Sequence, residues 1–260
     1  MQKRAKVVIG AVLAAIFVLL VVVASFTISG RVGTTEKVVR GTEIGEPGIF
    51  SLTDFEENIT IVAPGDYRFY ETATDKTIFV DAEGEVTIIL DGVTINNSKT
   101  AGIVNLTGNK LTVALAEGTT NKITGGSRSK YRAPIYSSGD ILVVGEGGAL
   151  VLQNNYGEGK AFISEGEKIE IGGGVIVLAL TAGDYDFNKF VFHQKKLAFD
   201  LDETAKAGTK ISIVDKTASP VCQFETETQF KKVVLNADYL ENEKYFLYLD
   251  EQLVKSGVAE

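Results

Sequence analysis

The chain carries a single cysteine and a single histidine, only four prolines, and no tryptophan in its 260 residues. With one cysteine there is no disulfide framework and no thiolate metal cluster. Cys222, within PVCQF, lies in an apolar alternating segment and reads as a buried, inert thiol. One imidazole, His193, cannot build a zinc site by itself, and nothing near it in sequence points to a nucleophilic triad. The absence of tryptophan weighs against a broad stacking surface for crystalline cellulose. Basic charge is also short: 26 Lys and Arg stand against 34 Asp and Glu, a net charge of −8. That balance excludes nucleic acid as a partner, because phosphate binding needs a concentrated basic face. Few prolines beside 27 glycines indicate many tight turns in place of a disordered chain.

What is present begins with an uncharged apolar run from Val7 to Ile28, introduced by Lys3, Arg4 and Lys6. It is long enough to cross a bilayer as one helix, and its basic flank places the first residues in the cytoplasm and the remainder outside. Residues 1–28 are therefore expected to be a single-pass membrane anchor, with the ectodomain at the cell surface. Cleavage after Val22-Val23-Ala24 is the competing expectation, although secretory peptides carry an apolar core of only about 7 to 15 residues. No lipobox-like cysteine follows directly on the run to take a lipid. The opening KRAKVVIGAVL resembles an archaeal pilin N-terminus, which implies a helix able to pack in a filament.

Residues 29–48 are polar, rich in Gly and Thr and without periodicity, the character of a linker. From Ile49 the chain becomes a series of short β-branched runs bounded by Gly, Asn and Asp. Four segments, starting at Gly84, Gly108, Ser138 and Glu165, share one scheme of Gly-led turn, alternating strand, second Gly turn and further strand. A recurrence of this length with variable loops predicts an all-β solenoid, a parallel β-helix over 49–209. The expected inward columns are Val86, Ile88 and Leu90; Leu111, Val113 and Leu115; Ile141 and Val143; Ile169 and Ile171; and Val175, Val177 and Ala179. A β-sandwich would share the short strands but would not need four related segments. Residues 210–260 lose the Gly-led scheme and are expected to form a C-terminal β cap over the last coil.

The stretch from Ile59 to Leu180 resembles the carbohydrate-binding right-handed β-helix family of surface proteins, with pectate-lyase-like architecture. The resemblance is carried by IVAPGDYRFYETATDKTIFVDAEGEVTIILDGVTINNS, AGIVNLTGNKLTVALAEGTTNKIT and APIYSSGDILVVGEGGALVLQNNYGEGKAFISEGEKIEIGGG. It implies binding of cell-wall polysaccharides such as cellulose and pectin, often with calcium at Asp-rich turns. Here the corresponding turns read Tyr156-Gly157-Glu158-Gly159 and Gly183-Asp184-Tyr185-Asp186, which departs from the family pattern.

Calcium needs six to eight oxygen ligands, and Asp184 and Asp186 alternate in one loop where both could face a cation; the alternative is a solvated turn. Arg128, Lys130 and Arg132 lie together in GGSRSKYRAP, a loop suited to an acidic polysaccharide or simply to solvent. Sugar rings stack on aromatic side chains. Tyr131, Tyr136 and Tyr156 are the loop candidates, whereas Phe190 and Phe192 read as core or cap. Asn58, Asn96 and Asn105 open glycosylation sequons. The leading expectation is thus a non-enzymatic, anchored polysaccharide-binding protein with no cofactor, calcium excepted. The alternatives are a self-assembling surface or filament protein and a calcium-dependent lyase.

Overall fold

A computed structural model describes residues 41–126, 130–156, 160–181 and 187–260. Among these no helix is long and apolar enough to cross a membrane; the expected anchor lies outside them. The described chain is all-β apart from one short 3-10 turn at Leu52–Asp54.

The strands come in passes. A first pass holds β1 (Thr42–Ile44) and β2 (Gly48–Ser51). Next come β3 (Ile59–Ile61), β4 (Gly65–Tyr70) and β5 (Thr72–Thr74), then β6 (Ile78–Val80), β7 (Val86–Leu90) and β8 (Thr94–Asn96). They are followed by β9 (Ile103–Asn105), β10 (Leu111–Leu115) and β11 (Thr120–Gly125), and by β12 (Ile135–Ser137), β13 (Ile141–Gly145) and β14 (Ala149–Asn154). The last passes hold β15 (Phe162–Ser164), β16 (Ile169–Ile171) and β17 (Val175–Leu180), and finally β18 (Phe190–Phe192). Equivalent strands of successive passes pair in parallel. Sheet A runs β1-β3-β6-β9-β12-β15, sheet B β2-β4-β7-β10-β13-β16-β18, and sheet C begins β5-β8-β11-β14-β17. This is the stacking of a β-solenoid. Pairing starts at Thr42, upstream of Ile49, because β1 and β2 are too short to show a period in the sequence.

Alternation drives each strand. In VTIIL of β7, Val86, Ile88 and Leu90 are buried while Thr87 and Ile89 face outward. The predicted columns form: Val86, Leu111, Ile141 and Ile169 are direct neighbours, as are Ile88, Val113, Val143 and Ile171. All join one continuous core. Full burial of each such side chain contributes about 1.5–3 kcal/mol.

One column is corrected. Val175, Val177 and Ala179 do not point inward; Ile176, Leu178 and Leu180 do, opposite Leu150 and Leu152 of β14. The segment VIVLAL is apolar at every position, so its own pattern cannot set the phase, and a slip of one residue exchanges the faces. Both faces are buried because Val177 and Ala179 pack into a second core with the C-terminal strands.

Those strands are β19 (Lys195–Ala205), β20 (Lys210–Val214), β21 (Pro220–Glu225), β22 (Phe230–Ala237), β23 (Lys244–Leu249) and β24 (Gln252–Val258). β22 pairs antiparallel with β17 and β19 with β22, extending sheet C past its last parallel strand. The others form a four-stranded antiparallel sheet D, ordered β21-β20-β23-β24. Ile211, Ile213, Tyr245 and Leu247 of sheet D share the second core with Val177, Leu197, Val233 and Leu235 of sheet C. Cys222 is half-buried against this core, and burial pushes its thiol up to about 12, which leaves it unreactive at neutral pH. Aromatic clusters sit at both ends of the coil core: Phe50 with Phe55, Tyr67 and Phe69, and Phe187 with Phe190 and Phe192.

The turns between sheets are closed by buried asparagines. At the A-to-B turn, Asn105 Nδ2 donates to Asn109 O (2.8 Å) and Ser137 Oγ (2.9 Å). At the B-to-C turn, Asn121 Oδ1 accepts from Val93 N (2.8 Å) while Nδ2 donates to Ala149 O (3.1 Å). The Asn105 sequon is therefore closed, because its amide is buried and already shared between two coils.

Candidate functional site

The connections from sheet C to sheet A, residues 75–77, 97–102, 126–134 and 155–161, leave successive coils at the same corner. They include the longest turns of the solenoid, and buried amides hold them. Asn97 Oδ1 accepts from Lys99 N and Thr100 N (3.0 Å each), and its Nδ2 donates to Lys76 O (2.9 Å). Asn154 binds two turns at once: Nδ2 donates to Arg132 O and Lys160 O (2.7 Å each), and Oδ1 accepts from Tyr156 N (2.7 Å). Asn155 Nδ2 reaches two coils back to Asn97 O (2.8 Å). Thr181 Oγ1 donates to Tyr156 O (2.7 Å), tying the next turn to the same corner.

This corner gathers most of the residues singled out from sequence. Lys130, Tyr131 and Tyr136 meet: the tyrosine rings pack edge-on with centroids 4.9 Å apart, and Lys130 Nζ lies 5.8 Å from both rings. Arg132 is exposed on the same turn, and Tyr156, half-buried, belongs to the turn one coil on. Arg128, Asp184 and Asp186 lie outside the described residues.

Tyr136 is corrected as a direct ligand contact. It is 2% exposed in β12, on an outer row of sheet A in which Phe79, Val104, Tyr136 and Ile163 are successive neighbours. Tyr131 covers it and also touches Phe79, with centroids 6.4 Å apart. Burial, then the nearby Glu165 carboxylate, push the Tyr136 hydroxyl up to about 12. Its role is to seat Tyr131 and Lys130. Tyr67 and Phe69, near the first coil, are fully buried.

The sequence reading missed Lys99 and Lys160, which are exposed on turns of the same corner. With Lys130 and Arg132 they make a basic column along one edge of a net acidic chain. Their signal was positional: each follows shortly after an Asn that ends a sheet C strand.

Lys99 pairs with Asp75 (2.9 Å), whose Oδ1 also accepts from Ser98 Oγ (2.7 Å) and Ser98 N (2.9 Å). The Lys99 ammonium first, then Ser98, hold the Asp75 carboxyl at about 2, below its ordinary 3.8. A depressed carboxyl stabilises the fold above the unfolded value, so this contribution is present above 3.8 and lost as pH falls toward about 2. A carboxyl-carbon NMR titration is expected to place Asp75 near 2, and higher but still below the ordinary value in Lys99→Ala, where the Ser98 hydrogen bonds remain. An ordinary midpoint in the parent chain would show the pair to be open in solution.

Among the described residues no three His, Cys, Asp or Glu side chains group closely enough to hold a metal ion. His193 Nε2 lies 2.9 Å from Glu170 Oε1, with Lys168 on the same carboxylate at 2.6 Å, an exposed cluster on sheet B remote in sequence from the corner turns.

A family model described as a carbohydrate-binding domain-containing protein matches residues 55–185, half of the chain. A carbohydrate-binding domain-containing protein of Acetivibrio thermocellus is 31% identical over 146 residues, covering 52% of this chain and 50% of its own length. The chain thus spans about half the length of the curated relative it matches. No solved structure matches. The family match runs through the stacked coils and takes in every turn of the basic corner: the chain belongs to the carbohydrate-binding domain-containing protein family.

Proposed function

We propose that the chain is a non-enzymatic polysaccharide-binding protein, a right-handed β-helix of pectate-lyase-like architecture held at the cell surface by residues 1–28. It contacts an acidic cell-wall-type glycan through Lys130, Tyr131, Arg132 and Tyr156, with Lys99 and Lys160 extending the contact along the coils. The observation that supports this most is the basic column beside two tyrosines on the family-matched coils of a chain with net charge −8. Carboxylates of the ligand pair with the exposed cations, and the half-buried Tyr131 ring offers an apolar patch to a sugar face. The calcium implied by the family resemblance has its candidate ligands, Asp184 and Asp186, outside the described residues, and the contacts proposed here are those of the described side chains alone.

Retention of the full chain on polygalacturonate is expected at low salt and is expected to fall as salt screens the column. The double variant Lys130→Ala/Arg132→Ala should weaken retention about tenfold, the sum of two modest surface ion pairs. Failure of the parent chain to be retained on any cell-wall polysaccharide would overturn the reading.

A second reading, association of copies, draws on sheet B, whose outward row of Ile49, Arg68, Ile89, Ala114 and Val144 is largely apolar, with Ile49 71% exposed. Concentration-dependent size-exclusion of the full chain, compared with Ile49→Asp, tests it; elution that does not move with concentration removes it.

A further inference from the structure

On the outer face of sheet C, Val151, Val177 and Ala179 are covered by sheet D, whereas the adjoining row runs Thr74, Asn96, Thr124 and Gln153 in direct register. Thr124 of β11 and Gln153 of β14 stand on successive coils, with their side chains on the same face and their backbones about 4.8 Å apart. Both are buried, at 4% and 0% exposure.

Glu227, in the turn 226–229 between β21 and β22, touches the two of them. Its carboxylate accepts from Thr124 Oγ1 (3.2 Å) and pairs with Lys122 (2.8 Å), and its N–H donates to Gln153 Oε1 (2.7 Å). The turn 206–209 braces it, with Gly208 N donating to Thr226 O (2.7 Å) and Thr226 N to Thr209 O (3.1 Å). The Gln153 amide is satisfied on one side only, since Nε2 is buried without a partner. Buried donors almost always have partners, and an unmet one carries an uncompensated desolvation cost. Loss of that nitrogen would remove the cost.

We propose that Thr124 and Gln153 become joined by an intramolecular ester that the folded chain forms by itself, with Glu227 as the base. A hydroxyl bonded to a carboxylate and held beside an acyl carbon is an activated nucleophile. Thr124 Oγ1 attacks Gln153 Cδ and passes its proton to the Glu227 carboxylate. Charge that develops on Oε1 meets the Glu227 N–H already bonded there. Collapse breaks the Cδ–Nε2 bond, the nitrogen takes the proton from Glu227 and ammonia leaves. One C–O bond replaces one C–N bond, and no oxidant or reductant is needed. Burial of both partners keeps water from hydrolysing the product. Lys122 is not the nucleophile: it lies opposite Val151, two residues earlier, and an ammonium engaged in an ion pair has no lone pair to attack with. The link fastens two successive coils beside the line where sheet D rests on sheet C, and it does so whatever the corner binds.

The test is peptide mass mapping of the full chain after tryptic digestion. Thr124 falls in the peptide 123–128 and Gln153 in the peptide 133–160. The two are expected as one species, lighter than their sum by one ammonia, and hydroxylamine should separate them because it cleaves esters. Thr124→Val, which keeps the side-chain shape without the hydroxyl, and Glu227→Gln, which keeps the backbone N–H without the base, should each yield two separate peptides. Separate peptides in the parent chain overturn the proposal. So does a join that survives hydroxylamine and blocks cleavage after Lys122, which would make that amine the attacking group.

Discussion

Asn154→Ala is expected to lower stability by about 3 kcal/mol and to weaken glycan retention together, because one buried amide holds both turns of the corner. The side chain is fully buried; its removal leaves the carbonyls of Arg132 and Lys160 and the N–H of Tyr156 without their partner. Each unmet buried group costs about 1–3 kcal/mol, less where water enters the gap, so the sum falls short of three full penalties. A urea titration should show a lower midpoint at unchanged slope. Asn155→Ala is the control: Asn155 is exposed, makes one cross-coil bond to Asn97 O, and should cost no more than about 1 kcal/mol. Equal losses in the two variants would mean that the corner is not held by the buried amide.

Val177→Asp should be more damaging still, at more than about 4 kcal/mol, since it buries a carboxylate without a partner between sheet C and sheet D. On the solvent face of an ordinary coil the same change would cost little. Leu178→Ala, one residue on, removes an inward side chain and should cost about 2–5 kcal/mol. The two are separable by pH. Burial raises the pKa of the new carboxyl, so its penalty is smallest in acid, where the group is neutral in folded and unfolded chains, and grows as pH rises above the unfolded value. Thermal unfolding followed by circular dichroism should therefore show a larger loss at pH 7 than at pH 4 for Val177→Asp and no such difference for Leu178→Ala. A Val177→Asp chain that melts like the parent would place Val177 in solvent and dissolve the contact between the two sheets.

Much of the stack was readable in the residues themselves. Ile141, whose outward neighbour Leu142 is apolar, takes its phase from its place in the repeat; Val86, Leu111 and Ile169 alternate with the polar Thr87, Thr112 and Glu170, and a strand with a polar outward face declares its phase. β17 did not, because both its faces are dry; its phase becomes visible only through Leu150 and Leu152 of the preceding coil, beside which Gln153 marks the outward row. Tyr136 was misjudged for a related reason. Nothing close to it in sequence announces that Phe79 and Val104 share its outer row, and that row exists only once the coils are aligned. Asn97, Asn105 and Asn154 were legible as turn residues, not as buried bridges, since their partners come from other coils. The basic loop stood out as a cluster; Lys99 and Lys160 join it only through stacking.

Parallel pairing sets adjacent coils about 4.8 Å apart, close to the length of one sugar unit in an extended chain. Cations and rings displayed at a single corner inherit that interval from the backbone and not from the turns that carry them. The turns can lengthen from the three residues at 75–77 to the nine at 126–134 while the graduation stays fixed. The molecule is in this sense a ruler whose marks can be exchanged without altering its scale.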